Sequence, residues 1–302
     1  VEEKMFKNFN EIFEHLRGVG RKPIVVVGED RDAIEAVADA YKAGFGEGIF
    51  VGDKKKIENI LKEFKTTDFV RDIIDSKSDE EKCKLAVQIV KREGVLLKGS
   101  VKTATLLHAV LNKEWGLRTD RILTSIAAFE STYEDREKIV LLSDGGVVIR
   151  PDLDTLIKEI QNAVSLANKL GNDLPKVALL CAVEVVNMDM PETVNAAIIR
   201  KMWERGQITG CIIDGPLALD NALSQYAAEK KGIVSEVAGD ADILITPDIV
   251  SGNLLGKSVE YIGGKPLAVT TFGAAKPVMI PSRADSAESK LRSIALTLIS
   301  EQ

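Results

Sequence analysis

Histidine is almost missing from this chain, and general acid–base chemistry has little to draw on as a result. Only His15 and His108 occur among 302 residues. The first lies in an N-terminal helical segment and the second on an inward-looking helical pattern, so both read as structural. Cysteine is nearly as scarce: Cys83, Cys181 and Cys211 stand far apart, without paired spacing for zinc or a disulfide framework. Cys181 in "VALLCAV" and Cys211 in "TGCIIDG" fall within apolar strand-like runs and are expected to be buried, inert thiols. No serine stands in a nucleophile-elbow context. The turn "VGEDRDAIEA" has a single glycine, which leaves no dinucleotide fingerprint. Apolar runs stop short of the roughly 20 residues that a membrane-spanning helix needs. The opening "VEEKMFKNFNEIFEHL" is charged and amphipathic, unlike a signal peptide. Basic residues are in deficit too, and the net charge is −6. That balance excludes a general nucleic-acid binder but allows a local basic pocket for a small anion. A soluble, cytoplasmic protein is expected, reacting without histidine, covalent serine or metal.

What the chain does contain is a regular alternation. "PIVVVG" (23–28) precedes the helical pattern "DRDAIEAVADAYKAG", and "GIFVG" precedes "DKKKIENILKEF". In the second half "KVALLCAVE", "ITGCIIDG" and "ADILITPD" are each followed by a longer helical pattern. Continuous apolar runs of this kind mark strands covered by helices on both faces. The sequence therefore predicts an α/β protein with mainly parallel sheets. At 302 residues it exceeds a usual single core, so two domains are expected. The stretch "RILTSIAAFESTYEDREKIVLLSDGG" breaks the rhythm, with two strand-like runs separated only by a charged turn, as in an antiparallel element. The closing pattern "DSAESKLRSIALTLIS" has no strand after it and is expected to pack back on the first half. The predicted domains are residues 1–132 with 272–302, and residues 133–271.

In open α/β sheets, functional loops gather at the carboxyl ends of the strands. In "LLKGSVKTATLLHAVL", Lys98, Gly99, Ser100, Lys102 and Thr103 mark a turn whose free amides and helix dipole favour an anion. A capped turn is the alternative, and the spacing is not that of a Walker loop. In "ITPDIVSGNLLGK", Asp248 reads as a helix cap and Lys257 as a solvated side chain. Asp214 and Asp220, like Asp240 and Asp242, lack a histidine or third carboxylate at ligand spacing, so turn and cap roles are expected. The segment "PSRADSAESK" (281–290) crowds polar groups where the last helix begins. Asp285 and Glu288 have the spacing of a reciprocal cap. Arg283 beside the same orphan amides suits a phosphate. Capping and anion binding use the same donors, so both stay open.

One reaction compatible with these limits is acyl exchange between phosphate and a thiol. A thiol ionises near pH 8.5, so positioning or a modest base supplies thiolate. Arginine's planar fork matches phosphate oxygens, and the protein need only align two substrates and stabilise charge. The strings "LLKGSVKTATLLHAVLNKEWGLRTDRILTSIAAFE", "AVEVVNMDMPETVNAAIIRKMWERGQITGCIIDGPLALDNA", "AGDADILITPDIVSGNLLGKS" and "SRADSAESKLRSIAL" together resemble the phosphate butyryltransferases of the phosphate acetyl/butyryltransferase family. The likeness runs from residue 95 onward, in order and without large gaps.

The resemblance implies a two-domain fold like that of isocitrate and isopropylmalate dehydrogenases, with the active site in an interdomain cleft. The C-terminal segment would complete the first domain. The implied reaction is butanoyl-CoA + phosphate ⇌ butanoyl phosphate + CoA, with coenzyme A as a substrate and no cofactor. Ser282 and Arg283 match the family's Ser-Arg pair, Arg283 holding the phosphoryl group. Thr124 and Ser125 match positions near the acyl phosphate. Asn253 and Lys257 match a cleft segment; from the anion-favouring turn, Gly99, Ser100 and Thr103 are expected as further substrate contacts. A base aspartate expected seven residues after the serine is Ser289 here, which leaves Glu288 or Asp285 for that role. The family also implies a homo-oligomer. Alternatives are a phosphate acetyltransferase, a metal-dependent dehydrogenase using Asp214, Asp240 or Asp242, and a non-catalytic coenzyme A or acyl-phosphate sensor.

Overall fold

The computed structural model describes residues 5–282 and 284–301. The chain divides into two compact units, Asn10–Arg121 with Ala268–Gln302, and Val1–Phe9 with Ile122–Leu267. Both are α/β.

After helix α1 (Phe9–Val19), strands and helices alternate as β1 (Lys22–Val27), α2 (Arg31–Lys42), β2 (Gly46–Gly52), α3 (Lys54–Leu61), β3 (Val70–Asp75), α4 (Asp79–Val90), β4 (Val95–Lys98) and α5 (Thr103–Val110). Strand β1 shows why such runs become central. Ile24, Val25, Val26 and Val27 are fully buried, and parallel partners β2 and β4 take up its hydrogen bonds on both edges. β-branched side chains suit a pleat covered on both faces. Short polar side chains start the helices. Asp30, Asp53 and Ser78 accept from the N–H groups of Ala33, Lys56 and Glu81 at 2.9, 3.2 and 3.2 Å.

Two histidine expectations meet different outcomes here. His15 is an exposed residue of α1, while His108 is exposed on α5 rather than inward-looking. The buried face of α5 is carried by Leu106, Ala109 and Val110, which leaves His108 on the opposite side.

The second unit runs through β5 (Thr124–Ser131), β6 (Lys138–Ser143), α6 (Leu153–Lys169), β7 (Lys176–Leu180), α7 (Pro191–Glu204), β8 (Ile212–Leu217), α8 (Leu219–Leu223), α9 (Gln225–Lys230), β9 (Ile243–Ile245) and α10 (Ile249–Tyr261). Its strand order is β5-β6-β9-β7-β8. Strands β5 and β6 pair antiparallel across the charged turn, and the other neighbours are parallel. The chain leaves β7 through α7, which packs on β8, and leaves β9 through α10, which packs on β6. The carboxyl ends of β7 and β9 thus flank a point where connections diverge, the crevice at which open α/β sheets bind ligands.

The amino ends of these strands hold a lattice of ion pairs. Lys138 Nζ lies 2.9 Å from Asp240 and 2.8 Å from Asp242, and Lys176 Nζ lies 2.7 Å from Asp240. Asp214 pairs with Arg200 at 3.2 Å and Asp220 with Lys231 at 3.0 Å. Every acid weighed as a metal ligand is thus engaged by a basic side chain.

The chain then returns to the first unit as β10 (Ala268–Phe272), β11 (Val278–Met279) and α11 (Ala287–Glu301). Strand β11 lies parallel to β4 and antiparallel to β10, which completes the order β3-β2-β1-β4-β11-β10. Helix α11 packs on β4, β10, β11 and α2, so the last helix does fold back on the first-half strands. Among the described residues, no helix is long and apolar enough to cross a membrane.

Gly94, between α4 and β4, adopts φ +79°, and a Cβ there would overlap the Pro23 carbonyl. Gly206 has φ +72° but open space around it. Gly94→Ala is expected to lose about 2 kcal/mol or more, through backbone strain plus the clash, and Gly206→Ala about 1 kcal/mol through strain alone. Urea unfolding midpoints check this, and equal losses at the two positions would contradict the steric component.

Candidate functional site

The carboxyl end of β6 is organised by one side chain. Asp144 is 2% exposed. Its Oδ1 accepts the N–H groups of Gly146 and Val147 at 2.7 and 2.8 Å, and its Oδ2 accepts that of Ser125 at 2.7 Å. The sequence "DGG" after an apolar strand allows this, because an aspartate oxygen readily folds back onto amides two and three residues ahead. Thr246, just past β9, places its Oγ1 3.2 Å from the Ser143 carbonyl and 3.3 Å from that of Asp144. Gly252 of α10 lies so close to the Asp144 carbonyl that a Cβ would overlap it. Asn253 Nδ2 donates to the Gly145 carbonyl at 3.1 Å. The ends of β6 and β9, the start of β5 and the first turns of α10 are joined in one polar corner.

Thr124 and Ser125 both lie in it. Thr124 is fully buried, and its Oγ1 accepts from Asn162 Nδ2 at 3.0 Å. Ser125 is 9% exposed, with its backbone fixed by Asp144. Asn253 borders the corner through Gly145. Lys257, a turn further along α10, pairs with Glu260 at 3.1 Å and lies 5.5 Å from the Tyr261 ring centre.

Glu159 on α6 belongs to the same region, and the residue-by-residue reading missed it. It is 1% exposed, and neither carboxyl oxygen has a hydrogen-bond partner among the described residues. Burial, reinforced by the Asp144 charge, pushes its pKa up to about 8. Burial also raises Asp144, in spite of the N–H groups it accepts. A signal was present in the sequence, since Glu159 interrupts the buried stripe of Leu156, Ile160 and Ala163.

In the first unit, Gly99 N–H donates to the Val27 carbonyl at 3.0 Å, and a Cβ on Gly99 would sit 2.8 Å from that oxygen. Ser100 Oγ stands 3.5 Å from Glu29. Burial raises Glu29, but the Asp53 N–H and the Lys82 ammonium, 3.1 Å away, bring it below the ordinary carboxylate range. A carboxylate here opposes a phosphate at the turn, and buried Lys82 offsets its charge. Thr103 opens α5, whose N-cap residue Lys102 makes no side-chain cap bond.

At the start of α11 the capping differs from the expected pattern. Ser286, not Asp285, accepts the Ser289 N–H, at 3.0 Å. A serine one residue nearer the helix reaches that amide with a short side chain. Asp285 turns back to accept the Ser282 N–H at 2.8 Å. Glu288 does not close the box either: its side chain is 58% exposed and pairs with Arg292 at 2.8 Å. Arg283 lies outside the described residues.

The cysteines also need one correction. Cys83 and Cys211 are buried, but Cys181, at the end of β7 where the strand meets a cavity, is partly exposed. Burial still pushes its thiol up to about 12.

Glu159 gives a pH signature. Its folded value, about 8, lies above the ordinary 4.5, so its stabilising effect is fully present below pH 4.5. It is lost as pH rises towards 8, at up to about 1.4 kcal/mol per pH unit. Melting temperatures of wild type and Glu159→Gln between pH 5 and 8.5 check this. The variant should lack most of the decline and be more stable at pH 8 by a few kcal/mol, on the order of 3; parallel curves would contradict it.

The sequence profile described as "Phosphate acetyl/butaryl transferase" matches residues 94–298. The phosphate butyryltransferase of Clostridium beijerinckii is 40% identical over 298 residues, covering 98% of both chains. The phosphate acetyltransferase of Thermotoga maritima is 41% identical over 291 residues, covering 96% of this chain and 98% of its own. Among solved structures, a branched-chain phosphotransacylase from Enterococcus faecalis superposes with a TM-score of 0.82 at 31% identity, covering 93% of this chain and 99% of that one. The chain belongs to the phosphate acetyl/butaryl transferase family.

Proposed function

We propose that this protein is a phosphate acyltransferase that interconverts butanoyl-CoA and phosphate with butanoyl phosphate and CoA. The observation that carries this is identity of about 40% along nearly the whole chain to an enzyme named for that activity. The acetyl reading shares the same chemistry and is favoured by the Thermotoga relative. No cofactor is assigned beyond coenzyme A as a substrate, and a cytoplasmic homo-oligomer fits the same reading.

In the forward direction a phosphate oxygen attacks the thioester carbonyl, and the C–S bond breaks with its electron pair leaving on sulfur. The proton lost by phosphate goes to a base or to the departing thiolate. In reverse, CoA thiolate attacks the acyl carbonyl and phosphate leaves. Positioning and charge stabilisation supply most of the acceleration. Arg283 would hold the phosphate as a paired fork, with Ser282 beside it. Of the two candidate bases, Asp285 is favoured. Its carboxylate is turned towards Ser282, whereas Glu288 is tied to Arg292. Thr124 and Ser125 are assigned to the acyl phosphate, and Asn253, Lys257, Gly99, Ser100 and Thr103 to further substrate contacts.

Free thiol should appear when protein, butanoyl-CoA and phosphate are mixed, and only when phosphate is present. Phosphate-independent thiol release, or none from any short acyl-CoA, would overturn the proposal. Arg283→Ala should raise the phosphate KM at least about tenfold or abolish turnover. Asp285→Asn should lower kcat by about 100-fold, the low end for a lost general base. An equal or larger loss in Glu288→Gln would transfer the base role to Glu288.

A further inference from the structure

Within the second unit, the carboxyl ends of β7 and β9 enclose a cavity of about 360 Å³. Its wall is aliphatic, built from Leu156 of α6, Leu179 and Leu180 of β7, Ala196 and Ile199 of α7, and Ile245 of β9. All six are buried. The titratable groups that line it, Arg150, Cys181, Glu192 and Asp248, all keep some solvent exposure, as does Asn195, while the buried Thr246 adds a hydroxyl to the wall. Thr246 lines the cavity and also reaches the Asp144 carbonyl, so cavity and polar corner share a wall.

Size, lining and place select the occupant. The volume falls in the lower part of the roughly 300–1,000 Å³ range of small-molecule sites. The position is the crevice where the connections from β7 and β9 diverge. The six buried aliphatic residues offer no partner to the phosphate, ribose or adenine groups of coenzyme A, nor to inorganic phosphate, whose charge matches Arg150 at the exposed rim instead. The hydrocarbon tail of the thioester is the part of either substrate that matches it.

We propose that this cavity receives the acyl chain, and that Leu156, Ala196 and Ile199 set a preference for four-carbon chains, straight or branched, over acetyl. This rests on the acyl-transfer reading above and adds its substrate selectivity. Each methylene moved from water into the cavity is expected to raise kcat/KM about fourfold, which corresponds to about 0.8 kcal/mol. Butanoyl exceeds acetyl by two methylenes, hence by roughly fifteenfold.

Steady-state kinetics with acetyl-, propanoyl-, butanoyl-, 2-methylpropanoyl- and hexanoyl-CoA test this, with thermal unfolding to verify folding. The wild type should favour butanoyl over acetyl by about fifteenfold in kcat/KM. Ala196→Leu fills the cavity and should lower the butanoyl-to-acetyl ratio at least about tenfold. Leu156→Ala enlarges it and should raise the hexanoyl-to-butanoyl ratio. Ratios unchanged in folded variants of an active enzyme would overturn the pocket while leaving acyl transfer intact. Should Ala196→Leu fail to fold, Leu156→Ala and the wild-type series decide, and a flat wild-type series overturns the pocket. A wild type that releases no thiol from any of these compounds overturns acyl transfer itself.

Discussion

A single buried carboxylate holds the polar corner of the second unit together. Asp144 is withdrawn from water, which is unfavourable for a charged group, and three backbone N–H groups stand in for the lost solvent. Those amides belong to the start of β5 and to the turn after β6, so one side chain fixes two segments nineteen residues apart. The backbone around it then dictates its neighbours. Gly252 must lack a side chain to pass the Asp144 carbonyl, and Thr246 must carry a hydroxyl that can meet it. Thr124, Ser125 and Asn253 take their places from this frame.

The second unit separates its charges along the strand axis. Its amino ends carry Lys138 and Lys176 against Asp240 and Asp242, which neutralise one another. Its carboxyl ends carry buried acids, a turn whose N–H groups are taken up by Asp144, and a cavity with aliphatic lining. Proton retention by Glu159 beside Asp144 limits the negative charge in the polar corner. A protein that brings a dianion and an acyl thioester together needs such a division between polar positioning and apolar reception.

The sequence disclosed the architecture through local signals. Runs such as "PIVVVG" and "ADILITPD" became buried parallel strands, and the unpaired closing helix packed where its apolar pattern required. Site details were less legible because they depend on partners distant in sequence. Glu159 interrupts the apolar stripe of α6, but its coupling to Asp144 becomes visible only when α6 is laid against β6. The Asp285–Glu288 spacing suggested a cap, but Ser286 lies closer to the first amides and displaced it. His108 fell on the outer face because Leu106, Ala109 and Val110 define the inner one. No local pattern could disclose the cavity, whose wall is drawn from four separate elements. The family strings around Ser282 and Thr124 stood out because many residues matched together, not because any one of them carried a distinctive spacing.

Phosphorus-31 NMR of a mixture of the protein, butanoyl-CoA and inorganic phosphate addresses the chemistry most directly. An acyl-phosphate resonance should grow in step with free CoA and reverse when CoA is added in excess. Accumulation of butanoate and CoA without that resonance would show transfer to water instead, and would contradict the account.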